Sequence, residues 1–402
     1  MIRWLAPLWL VLGGLVSPWG VTAWSGSAPL ERAFAPLLAA SCVLIGFAAF
    51  AWFRPLHRLA LPLTLLALSS LTLGPLALEL GLRVSFRVPS SPTRAPIRFG
   101  HNLIDEDFWI LAGRWQTYAD KIVRRRVQPD LGWCQTYPTP ENPLRLAPRA
   151  IEQLSTDDRP KILFYGDSYV SGHSRPENHL PTYLDDRLPE TDVVHLGVGG
   201  YGTGQALRLS EETSQLVDRP LVIMSAMVYD LDRSTLRVRS YQKPVLRVTG
   251  DGGLEITNTP VHPDPDQFFD EAALSFRSYA LRGLRQWALP LKDERFHDKL
   301  ELNRAILSAV KARADREDSD LLYVLFHPIQ ELLEPDYRST FFLEALAEVG
   351  IEVFDTRVPL TEYLQDSGAS PGDLYVTGHH NDLGNEVIGA ALLEELRRRG
   401  AR

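Results

Sequence analysis

The pattern of hydrophobic and polar positions changes character once along the chain. Three stretches, Trp4 to Trp24, Ala33 to Phe53 and Leu59 to Leu82, are apolar almost throughout and show no polar face. Helices buried in a soluble core normally carry such a face, whereas about 20 apolar residues suffice to cross roughly 30 Å of hydrocarbon. The pattern predicts three transmembrane helices over residues 1–83. Arg3 precedes the first, and Arg54 and Arg58 lie between the second and third. Because cytoplasmic loops are enriched in basic residues, this places the N-terminus inside and everything after Leu82 outside. Pro18 and Gly20 keep open a cleaved signal peptide ending near Ala23 in place of the first span.

Residues 84–158 read differently. The segment PSSPTRAP, within Val84 to Gly100, predicts an extended tether. A lead-in follows, with a short apolar face at Ile110 and Trp115 and a proline-punctuated loop from Thr136 to Pro148.

From residue 159 to 402, apolar β-rich runs at 162–166, 193–198, 221–227, 321–326 and 351–355 alternate with helical patterns. The helical patterns are Gln205 to Leu216, Leu302 to Arg316, Phe341 to Glu348 and Glu386 to Arg399. Strands apolar on both faces and separated by helices predict an α/β doubly wound domain with a parallel sheet. An insertion at about 240–291 holds a hairpin signal, VLRV and LEIT flanking TGDGG. It continues into a stripe of Phe276, Tyr279, Leu284 and Trp287. Core packing is the ordinary reading of such a stripe, and a lid or membrane-facing amphipathic helix the functional one.

Charge sharpens the division. Residues 1–82 carry a net charge of +2 and the remainder −10. A net-acidic soluble part argues against nucleic acid as a partner, because phosphate binding needs clustered Lys and Arg. Two cysteines, Cys42 and Cys134, cannot form a disulfide framework.

Open α/β sheets bind ligands beyond the carboxyl ends of their strands. The first strand ends in Gly166-Asp167-Ser168, a serine on a strand-to-helix turn, although a helix cap is the bland alternative. The second ends in the glycine run 197–204, where backbone approaches a ligand closely and can offer N–H groups to a developing negative charge. Near the C-terminus, Thr377-Gly378-His379-His380-Asn381 precedes the last helix, so a histidine there can act as general base. Two solvated histidines before an Asn cap are the bland alternative. No metal site is expected, since adjacent histidines seldom converge on one ion.

GDS at 166–168, the glycine loop and H-x-N-x-x-G at 379–384, in that order, resemble the SGNH/GDSL hydrolase superfamily, over about residues 159–400. The resemblance implies a flavodoxin-like three-layer sandwich, ester or acyl-transfer chemistry and no cofactor. It assigns Ser168 as nucleophile, Gly200 as second oxyanion donor beside the Ser168 N–H, and His379 as base with His380 as fallback. Two positions depart from the family. Tyr229 stands where its oxyanion asparagine lies, and Thr377 where its acidic partner lies. Asp373, Asp382 or Asp355 then becomes the candidate to orient the imidazole.

The expectation is a membrane-anchored serine esterase or O-acyltransferase with its large domain on the periplasmic or extracellular side of a bacterial cytoplasmic membrane. Acyl esters of envelope carbohydrate are the substrate implied by the resemblance. A transferase would need a membrane acyl-donor partner. The alternative is a non-catalytic scaffold that binds glycan, with Arg233, Arg237 and Arg239 as contacts, or that holds a membrane partner.

Overall fold

The computed structural model describes residues 76–86, 95–114, 127–134, 148–155, 159–289 and 293–402. Two of the expected spans, and the third up to residue 75, lie outside the described residues. So do residues 87–94 of the tether, Trp115 and the loop that begins at Thr136. Residues 76–85 are helical. Among the described residues no helix is long and apolar enough to cross a membrane.

The lead-in contributes helix α1, Glu106–Arg114, whose Phe108, Trp109, Ile110, Leu111 and Ala112 are all buried. The sheet begins with β1, Lys161–Gly166, and the single turn α2, Ser168–Ser171, follows it directly. Next come β2, Asp192–Gly197, α3, Thr203–Thr213, β3, Leu221–Met227, and the short α4, Asp230–Arg233. The insertion forms two hairpins. The first pairs β4, Val238–Arg239, with β5, Tyr241–Gln242, and the second pairs β6, Val245–Val248, with β7, Leu254–Thr257, the two runs that flank TGDGG. Helix α5, Tyr279–Ala288, closes it. The remaining elements are α6, Phe296–Arg316, β8, Asp320–Phe326, α7, Tyr337–Val349, β9, Glu352–Asp355, and α8, Arg357–Ser367. A hairpin of β10, Tyr375–Val376, with β11, His379–His380, leads into α9, Asp382–Arg398.

The five long strands form one parallel sheet of order β9-β8-β3-β1-β2. Helices α3, α6 and α7 pack together on one side, and α8 and α9 with helix Leu180–Asp185 on the other. Both faces are therefore covered, which is why the strand sequences are nearly continuous in Val, Ile, Leu and Phe. Ile162, Leu163, Phe164 and Tyr165 of β1 are all at most 1% exposed, each buried apolar side chain stabilising the fold by about 1.5–3 kcal/mol. From β1 the chain goes to β2 on one side and then to β3 on the other. The strand order reverses at β1, so the crevice beyond its carboxyl end is where a ligand belongs.

The stripe in the insertion corrects the core-packing expectation in part. Phe276 and Tyr279 do join an aromatic cluster with Phe86 and Phe99. Leu284 and Trp287 are exposed, and α5 buries no residue fully.

Candidate active site

Ser168 opens α2 at the reversal point, and the helix is held there by its own cap. Asp167 Oδ1 accepts the Tyr169 N–H at 2.9 Å, satisfying a donor the one-turn helix cannot pair internally. Asp167 is buried, and its other oxygen lies 3.5 Å from Arg233 Nη1, which also bonds Asp230 at 2.6 Å. Burial pushes both carboxyls upward against the pull of Arg233, Asp230 to about 7. Arg233 is therefore committed inside the fold, and Arg237 is paired with Glu106. Arg233 is thereby withdrawn from the surface, whereas the side chain of Arg237 stays exposed.

The base arrives on the β10–β11 hairpin. Its two-residue turn, Thr377-Gly378, has φ of +48° and +82°, the double positive value that a type I′ hairpin turn requires. Gly378 adopts this freely, whereas the β-branched Thr377 does so at a cost of about 1–3 kcal/mol. The Tyr169 hydroxyl, one residue past the nucleophile, donates to Gly378 O at 2.8 Å and fastens the hairpin to the serine helix. His379 Nε2 then lies 2.8 Å from Ser168 Oγ.

Side chains alternate across a strand, so the next histidine points the other way. His380 is 2% exposed, packed against Tyr169, Phe326 and Tyr375, and burial holds its pKa down to about 3. It takes no part in the serine contact, and the fallback base is set aside.

His379 Nδ1 donates to the Thr377 carbonyl at 3.3 Å, which leaves Nε2 unprotonated and facing the serine. The orienting group is thus main chain at the very residue where an acidic side chain was missing. The carboxylates weighed for this role are engaged elsewhere. Asp373 accepts the Ser370 N–H and hydroxyl in a capping box, so its expected role as orienter is corrected. Asp382 pairs with Arg175, and Asp355 with His327 at 2.8 Å. Without an acidic partner His379 stays neutral: burial, then the neighbouring His173, lowers its pKa to about 4.

His173 was not foreseen. It stacks on His379 with ring centroids 3.8 Å apart and planes 17° from parallel. Its position shortly after the GDS block gave no periodic signal, because the contact is made across a turn.

The glycine turn sits beside the serine helix. A β-carbon at Gly199 would lie 3.5 Å from Ser171 Oγ, and one at Gly200, whose φ is +87°, would collide with the Arg239 guanidinium. Trp133 from the lead-in donates its indole N–H to Gly199 O at 2.9 Å. Because the peptide is planar and trans, this bond directs the Gly200 N–H away from Trp133. Arg239 also lies 5.0 Å over the Trp109 ring. Tyr229 goes elsewhere: its ring packs under Arg338 at 5.0 Å, and among the described residues no hydrogen bond joins it to Ser168.

No protein-family model and no curated protein matches the chain. Solved structures similar to it include a two-domain esterase active on acetylated mannans, at 12% identity and TM-score 0.35, covering 62% of this chain and 52% of that one. A lipolytic G-D-S-L family protein from Veillonella parvula matches at 12% identity and TM-score 0.34, covering 59% and 98% of the two chains. The acetylxylan esterase Axe2 from Geobacillus stearothermophilus matches at 18% identity and TM-score 0.35, covering 60% and 96%. The GDS turn after β1, the glycine turn after β2 and the histidine hairpin before α9, converging on a serine–histidine contact at the reversal point of a parallel sheet, are those of the SGNH/GDSL hydrolases that this chain resembles.

Proposed function

We propose that the protein is a membrane-anchored serine esterase or O-acyltransferase that works through an acyl-enzyme, with its catalytic domain outside the cytoplasmic membrane. The contact of 2.8 Å between Ser168 Oγ and His379 Nε2 carries this reading. Ser168 Oγ attacks the ester carbonyl while its proton passes to His379 Nε2. The tetrahedral oxyanion is held by the N–H groups of Ser168 and Gly200, with Tyr229 absent from that role in the geometry described. Collapse returns the proton to the departing alkoxide and leaves Ser168 acylated. Water, or a sugar hydroxyl in a transferase, then attacks with His379 as base.

The anchor is supported by the three apolar stretches before residue 83. Acetylated envelope carbohydrate is the substrate supported by the family resemblance.

Intact-mass analysis of the full chain in detergent, after treatment with a fluorophosphonate or an activated acetyl ester, tests the chemistry. One adduct on Ser168 is expected, absent from Ser168→Ala. A folded chain that takes no adduct, or equal labelling of Ser168→Ala, overturns the catalytic reading in favour of a binding scaffold.

A further inference from the structure

Helix α5 has its polarity turned inside out. Its arginine Arg282 points into the protein, donating to Phe99 O at 2.6 Å and pairing with Asp105. Arg285 and Gln286 line the same side, at a cavity of about 600 Å³ shared with α1. Toward solvent the helix presents Leu284, Trp287 and Ala288, spaced three and four residues apart on one face, with Trp287 85% exposed. A helix in water makes the opposite choice, since each exposed apolar side chain forfeits its burial energy.

The neighbouring helix, residues 76–85, shares this property. Leu76, Leu78, Leu80 and Val84 are each more than half exposed, as is Ile97 beside them. Leu76, Leu80 and Val84 follow one another at four-residue spacing along one side of the helix and Leu78 lies on the opposite side, so apolar side chains face outward on both. Its one inward carboxylate, Glu79, joins the two helices. Glu79 Oε2 accepts the Ser278 hydroxyl and the Ala280 N–H, both at 2.9 Å, at the start of α5. Arg83 pairs with Glu79 at 2.7 Å and donates to Arg277 O at 2.6 Å. Phe86 packs on Tyr279 with centroids 4.2 Å apart.

We infer that this face, α5 together with residues 76–85, lies on the bilayer, with Trp287 and Leu284 in the headgroup region of the outer leaflet. The inference rests on the membrane-anchored reading above. What selects lipid as the occupant is continuity: residues 76–82 are the outer end of the apolar run 59–82, long enough to cross a membrane, and Glu79 ties that end to the first turn of α5. A helix hydrogen-bonded to the exit of a span sits at the membrane surface. Trp on its outer face, with the exposed Arg98 and Arg277 nearby, is the composition that suits the interface between acyl chains and phosphates. The polar side of α5 then faces the protein because the protein, not the outside, is its polar phase.

The full chain is reconstituted into vesicles of phosphatidylcholine and phosphatidylglycerol. Trp287→Cys, and separately Leu284→Cys, each in a Cys42→Ala background, carries a fluorescent label. Leu216→Cys, in the same Cys42→Ala background and at an exposed site in the turn that follows α3, is the water-facing reference. Lipids with a nitroxide near the headgroup should quench the label at 287 and 284 by roughly two-fold or more relative to 216. Equal quenching at all three sites overturns the inference. So does disulfide crosslinking between two copies of the unlabelled Trp287→Cys chain, when the labelled chain shows no lipid quenching. Carbonate extraction of the same vesicles separates the two readings. A chain that resists extraction yet shows equal quenching keeps the anchor and loses the docked face. A chain that extracts yet is quenched at 287 loses the anchor and keeps the face.

Discussion

Helices α9 and α5 are both amphipathic, and they face opposite ways. In α9, Ile388, Leu392 and Leu396 are 0% exposed against the sheet, and its arginines are outside. In α5 Arg282 is inside, and Leu284 and Trp287 are outside. The α/β half of the molecule, which carries the serine–histidine contact, is built like α9. Its strands are covered on both sides, and its serine and histidine are carried by a turn and a hairpin seated on a dry core. The flank formed by α5 and residues 76–85 keeps charged groups on its inner side instead. The same kind of sequence pattern therefore serves two orientations, and only the contacts of the polar face reveal which one a given helix adopts.

The largest effect is expected at the well-packed end. Ser168→Ala should abolish fluorophosphonate labelling outright, and His379→Ala should slow it by about 10²–10⁴-fold, the usual contribution of a general base. Both variants should unfold like the parent chain, because the side chains removed project into the crevice. Labelling time courses read by intact mass check this. A His379→Ala chain that labels at the parent rate would detach the hairpin from the chemistry.

Stability breaks the comparison most directly. Leu392→Ala on α9 should cost about 2–5 kcal/mol, the range for emptying a buried leucine site. Leu284→Ala on α5 should stay within about 0.5 kcal/mol. Chemical unfolding of the full chain in micelles would show the difference, and equal losses would mean that α5 is core after all.

The pH dependence of labelling is a smaller but more diagnostic effect. His379 acts as base only when unprotonated, and burial with the stacked His173 holds its pKa at about 4, below the ordinary 6.5. Proton binding therefore competes only in acid. The rate should be level around neutrality and fall to half its plateau at about pH 4 as the imidazole protonates. Thr377→Asp places a carboxylate near Nδ1, stabilises the imidazolium and should move this acid limb upward. A limb already centred at 6.5 in the parent chain would show that burial does not control the base.

Much of this was legible along the chain. The five strands were visible because burial on both faces leaves runs such as KILFYG and LVIMSAM with no polar position at their centres. The hairpin at 245–257 was visible because TGDGG supplies a turn that the flanking β-rich runs need. The Ser168–His379 pairing was reached through motif order, not periodicity. What stayed hidden depended on orientation. His380 was a fair candidate base until the β11 pleat turned it into the core. Asp373 was a fair orienter until its own turn with Ser370 consumed it. No sequence rule foretold that a carbonyl at Thr377 would take the carboxylate's place, since every residue has one.

By itself, then, the sequence determined the five strands of the sheet, four of the helices, the hairpin at 245–257 and the chemical types at each strand end, because periodicity and turn chemistry are local properties; it did not mark the helices Leu180–Asp185 and Arg357–Ser367. Tertiary structure alone decided which imidazole meets the serine, which acceptor steadies it and which face of α5 looks outward. Ser168 and His379 are 211 positions apart, and Arg282 and Phe99 183. Over such separations the choice is made by packing and by which polar groups find partners inside the fold.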